Sequence, residues 1–70
     1  MSKHNLTWKV LVEAAAIRRH YKVPVLIHDR EVQVEIKNDN LTVGWGNMAI
    51  RLTVTDKDEA VREVAGFLGL

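Results

Sequence analysis

The stretch Val32-Gln33-Val34-Glu35-Ile36-Lys37-Asn38-Asp39-Asn40-Leu41-Thr42-Val43-Gly44-Trp45-Gly46-Asn47-Met48-Ala49-Ile50-Arg51-Leu52-Thr53-Val54 decides the fold. Apolar residues recur at every second position in three runs, the period of strands with one buried face. Between the runs stand Asn38-Asp39 and Gly46-Asn47, residues that tolerate the positive φ of two-residue hairpin turns. The registers check one another. A turn at Asn38-Asp39 sets Ile36 against Leu41, Val34 against Val43 and Val32 against Trp45. A turn at Gly46-Asn47 sets Trp45 against Met48, Val43 against Ile50 and Leu41 against Leu52. All these apolar side chains then share one face, whereas a slip of one residue would turn a whole strand inside out.

Outward from this core the pattern is less sharp. Val23 to His28 reads as a further strand joined through a turn at Asp29-Arg30, with Val23, Val25 and Ile27 inward. Pro24 lacks a ladder donor and suits an edge, so the expected strand order is 1-2-3-4 with the proline strand outermost. The opposite face carries Glu31, Gln33, Glu35, Lys37, Thr42, Arg51 and Thr53 and is wet by composition. Helices must therefore cover the apolar side.

Two helices are expected there. The first starts at Asn5 as N-cap and stops near Lys22, because Pro24 drives Val23 out of the α region. Leu6, Val10, Ala14, Ile17 and Tyr21 form one helical stripe and Trp8, Val12 and Ala15 a second beside it, so the helix is apolar over more of its circumference than packing on one sheet requires. The second helix is capped by Thr55 or Asp56, has Asp58 and Glu59 in its first turn where negative charge suits the dipole, buries Val61, Val64, Ala65 and Leu68, and stops at Gly69. The fold expected is α+β: a two-layer α-β-β-β-β-α domain over 1–70, a four-stranded antiparallel meander with both helices on one face and residues 1–4 as a frayed tail.

Composition narrows the function. Seventy residues bury only about 60% of the surface the unfolded chain exposes, so a domain of this length has little stability to spare without a staple or a partner. No cysteine is present, which removes thiol catalysis and zinc ribbons and fits a reducing, cytoplasmic setting. Neither a signal peptide nor a membrane span is legible, since Lys9 and Glu13 interrupt the first apolar stretch. Residues 1–30 hold six cations against two carboxylates, and residues 31–70 hold four against seven. That asymmetry suits a polyanion surface, a head-to-tail contact or helix-end charges placed for the dipoles.

Catalysis is poorly supplied. The only serine is Ser2, in the tail, so a nucleophilic triad has no credible member. His28-Asp29 could form half of a metal or proton-shuttle site, but a metal needs three or four converging ligands and the plain reading is a solvated turn. Glu31 and Glu35 face outward on an open sheet, where nothing splits their pKa values into an acid and a base. Gly44-Trp45-Gly46 leads into a hairpin and not into a helix N-terminus, so it is no phosphate loop. The side-chain-poor spot at Gly44 and Ala49 reads as a local twist or bulge. No cofactor and no small-molecule substrate are indicated.

Two non-enzymatic readings follow. The leading one is a regulatory or interaction module that binds a protein partner or itself, as a homodimer, through Trp8, Val12 and Ala15 on the spare helical stripe or through the open edge strand Met48 to Val54 with Arg51. Compact regulators, assembly factors and phage- or plasmid-borne inhibitors are often of this size, an association and not a deduction. The alternative is a nucleic-acid-binding domain using Arg18, Arg19, Lys22 and Arg30, with Lys3 and Lys9 adding to the field. Against it stand the dipole, which favours cations in a last helical turn; Tyr21, whose ring is expected to pack in the core; and a pI near 8.2, below the range of strongly basic modules.

Overall fold

A computed structural model describes residues 6–70. The order is α1 (Trp8–Tyr21), β1 (Val25–Ile27), β2 (Arg30–Lys37), β3 (Asn40–Trp45), β4 (Met48–Thr53) and α2 (Lys57–Phe67). The strands form one antiparallel sheet in the order β1-β2-β3-β4, and both helices lie on its apolar face.

The β2-β3-β4 meander has the register its alternation demands. Val32 pairs with Trp45, Val34 with Val43 and Ile36 with Leu41, while Leu41 pairs with Leu52, Val43 with Ile50 and Trp45 with Met48. The turns fall at Asn38-Asp39 and Gly46-Asn47, where Asn38 (φ 57°) and Gly46 (φ 63°) take the left-handed conformation. Val32, Val34, Leu41 and Val43 are fully buried at the centre of the inner face.

The first hairpin departs from expectation. Its turn is His28-Asp29, one residue earlier than Asp29-Arg30, and both residues have positive φ (50° and 66°), the signature of a type I′ turn. Val25 therefore pairs with Val32, and Ile27 with Arg30. Moving the turn by one residue shifts the pairing by two, so Ile27 stays buried and Val25 half-buried on the inner face. The slip also places Arg30 on that face, in line with Val32, Val34 and Ile36. Val23, expected inward, is instead outside the strand and exposed. Pro24 beside it has no N–H to extend the ladder.

α1 presents a different face from either expected stripe. Its cap is Thr7, whose side chain accepts from the Val10 N–H at 3.3 Å; Asn5, the expected cap, lies outside the described residues. The buried residues are Leu11, Ala14 and Ala15, a line centred between the two stripes. Leu11, in neither stripe, is completely buried, whereas Tyr21 is 71% exposed. The expectation of a packed Tyr21 ring is thus corrected. Two small alanines beside one leucine let the helix sit close to β2, with Trp8 and Val10 half-buried against the core on its flanks and Val12 and Ile17 exposed.

α2 follows its pattern. Asp56 caps it, its carboxylate accepting from the N–H groups of Asp58 (2.9 Å) and Glu59 (3.2 Å). Ala60, Val61, Val64 and Ala65 face the core, and Leu68 just beyond the helix is fully buried. Gly69 (φ 75°) closes the end: its N–H donates to the Gly66 carbonyl and the Leu70 N–H to that of Ala65, the paired bonds of a Schellman cap.

Candidate functional site

The strand-edge geometry follows from the turns. The residues flanking a two-residue hairpin turn exchange ladder hydrogen bonds, and such pairs alternate along antiparallel strands. Trp45/Met48, Val43/Ile50 and Leu41/Leu52 are therefore the bonded pairs of β3 and β4, a parity that the 2.7 Å bond from the Val54 N–H to the Asp39 carbonyl continues. The N–H and C=O groups of Ala49, Arg51 and Thr53 consequently point away from the sheet, with no neighbouring strand beyond them among the described residues.

This edge is both long and apolar on one side. Met48 is 58% exposed, and Ile50, Leu52 and Val54 are only half-buried. Arg51 is exposed on the outer face, the single charge of the strand. Natural sheets usually blunt such edges with charged side chains, proline, bulges or very short strands. Of these devices β4 carries only the single charge of Arg51, whereas β1 at the other edge is three residues long and preceded by Pro24.

The helical candidates do not form one surface. Ala15 is buried in the core and cannot be presented to a partner, so its place in an exposed stripe is corrected. Trp8 is half-buried, its ring 5.8 Å from the Lys57 ammonium of α2, and it lines the hollow it shares with Thr7, Asp58, Val61 and Arg62. Val12 alone of the three is plainly exposed, at 43%.

The basic candidates divide as well. Arg18, Arg19 and Lys22 line a groove between the end of α1 and the end of β2, joined there by Lys37, Glu35 and Ile36. Lys37 had no place in the sequence-based cluster, because its nearness depends on how α1 crosses β2. Arg18 follows Leu11, Ala14 and Ala15 on the buried face; its Nε is shielded from solvent and has no hydrogen-bond partner. Its stem covers the core margin, the usual behaviour of a long cation at an apolar border.

Arg30 is not part of this groove. Its inward position sets the guanidinium 5.7 Å from the centre of the Trp45 ring, and its Nη1 donates to the His28 carbonyl at 2.6 Å. Trp45, expected in the core, sits half-buried at its margin, edge-on to Phe67 with centroids 6.2 Å apart. Arg30 thus belongs to the packing of the first hairpin. Among the described residues no ion pair is formed by any of these arginines and lysines.

His28 and Asp29 occupy an exposed turn, and no three potential metal ligands converge among the described residues. Gly44 lies opposite Gln33 and Ala49 on the outer face. A Cβ there would meet only ordinary contacts, the nearest 3.9 Å away, so nothing occupies the space above it. No described helix is long and apolar enough to cross a membrane. No family model, curated protein or solved structure matches the chain.

Proposed function

We propose that this chain is a non-enzymatic interaction module that binds protein by adding a strand to the free edge of β4. The observation that carries the reading is the combination on one strand of outward N–H and C=O groups at Ala49, Arg51 and Thr53 with an apolar row in which Met48 is exposed and Ile50 and Leu52 are half-buried. An added strand gains main-chain hydrogen bonds from the first and side-chain burial from the second, the division of labour found in β-augmentation. The alternative surface, the Trp8 stripe, is interrupted by the burial of Ala15.

The test is selection of displayed random peptides against the immobilised domain, followed by binding to the Arg51→Pro variant. The Arg51 N–H takes no part in the β3 ladder, so proline there removes an outward donor while sparing the inner bonds. Selected peptides with alternating apolar residues that lose binding to Arg51→Pro support the reading. Peptides that bind this variant unchanged, or a selection that yields none on domain immobilised sparsely enough to be monomeric, overturn it.

A second reading rests on a separate observation, the gathering of Arg18, Arg19, Lys22 and Lys37 around one groove with a single carboxylate. It supports binding of a polyanion such as nucleic acid. Titration of short single- and double-stranded nucleic acid at two salt concentrations tests it, since contacts to several phosphates make affinity fall steeply with salt. Loss of that binding on Arg19→Glu and Lys37→Glu is the expected result; no binding at low salt overturns it.

A further inference from the structure

The β4 edge is self-complementary, and we infer that the strand it receives is the β4 of a second copy, paired antiparallel about a two-fold axis at Ile50. This rests on the edge-strand reading above and names its partner. Two conditions restrict the register. Hydrogen bonding requires that Ala49, Arg51 and Thr53 face outward-pointing residues of the partner strand, which excludes every register of the wrong parity. Among the allowed ones, two use five residues of the six-residue strand: one centred on Ile50 and one centred on Arg51.

Charge and size decide between these two. The register centred on Arg51 sets two guanidiniums directly opposite one another, a destabilising pair. The register centred on Ile50 sets each Arg51 opposite the small Ala49 of its partner, with no like charges facing. On the helix side it sets Ile50 against Ile50 and each Met48 against the partner's Leu52. These are the non-hydrogen-bonded pairs, whose side chains approach most closely. Met48, 58% exposed in the single chain, gains a cover. The two sheets become one of eight strands with all four helices on the same face, and among the described residues only the short β1 edges remain open. Such an isologous contact closes on itself and does not propagate.

Substitutions at Ala49 read the register directly, because that position is exposed and its side chain makes no core contact. Ala49→Glu faces Arg51 of the partner twice per dimer and should tighten the dimer about two- to thirtyfold, from the usual worth of two opposite-charge cross-strand pairs. Ala49→Lys should weaken it by a similar factor, and adding Arg51→Glu to Ala49→Lys should restore it. Sedimentation equilibrium across protein concentration reads all three. Engineered thiols give an independent measure, since the natural chain has no cysteine. Ile50→Cys should oxidise to a disulfide-linked dimer, the paired Cα atoms lying about 4.5 Å apart. Arg51→Cys should not, its diagonal mates being about 7–8 Å apart.

A dimer insensitive to charge at position 49 that cross-links through Arg51→Cys overturns the register. A wild-type chain, Ala49→Glu and Ile50→Cys that are all monomeric at millimolar concentration overturn the second copy as partner. Peptides selected on the wild-type edge and lost on Arg51→Pro would then show that edge addition stands while self-pairing fails; failure of both removes the edge as a site.

Discussion

Truncating Leu11 to alanine is the sharpest perturbation of the fold. Leu11 is fully buried, on the line of α1 that faces the sheet. Buried leucine-to-alanine changes cost about 2–5 kcal/mol, through lost transfer energy and the cavity left behind. A central value of about 3 kcal/mol is expected here, because the backbones of a hydrogen-bonded sheet and a capped helix limit collapse around the hole. A domain of this size has roughly 4–10 kcal/mol in total, so the change removes about 30% or more of it and lowers Tm by about 12–24 °C. Tyr21→Ala is the companion, because a helical face drawn through Leu6, Val10, Ala14, Ile17 and Tyr21 would make it the costly one. At 71% exposure it should cost within about 0.5 kcal/mol. Urea titration at one fixed protein concentration, followed by tryptophan fluorescence, gives both values; fixing concentration matters because association raises apparent stability. An unchanged slope against urea would show that only stability has moved. A Leu11→Ala midpoint near wild type, or a Tyr21→Ala loss exceeding it, refutes the orientation of α1.

Other perturbations address single features. Arg30→Ala removes the bond to the His28 carbonyl and the cover over Trp45; a loss of about 1–2 kcal/mol and a red shift of tryptophan emission are expected. Arg30→Lys should recover only part of it, lacking the planar fork. Asp56→Ala leaves two N–H groups of α2 without their acceptor and should cost about 1 kcal/mol in denaturant titration. Gly46→Ala meets no atom within 4 Å, yet its φ of 63° should make it cost about 1–2 kcal/mol.

The meander was legible because two independent signals, parity and turn chemistry, agree at every pair from Val32 to Val54. The first hairpin was not, since turns at His28-Asp29 and Asp29-Arg30 bury the same alternate residues and the apolar pattern cannot tell them apart. What separates them is the conformation of the turn itself and the use of Arg30 against Trp45, a contact between residues distant in sequence. The face of α1 was hidden by excess: with apolar residues around most of the helix, periodicity does not rank Leu11 above Val10 or Val12. For the site, the open β4 edge was legible from strand order alone. The fate of the basic cluster was not. Arg30 left it through the turn slip, Arg18 lies on the buried line, and Lys37 joined from β2 through packing that no local pattern encodes.

Whether the outward groups of β4 receive a strand from a second copy is read residue by residue in amide hydrogen exchange measured across protein concentration. The amides of Ile50 and Leu52 donate within the sheet and should be protected throughout. Those of Ala49 and Arg51 should exchange rapidly in dilute protein and become protected as concentration rises. Rapid exchange at Ala49 and Arg51 at every concentration, beside full protection of Ile50 and Leu52, would exclude this pairing.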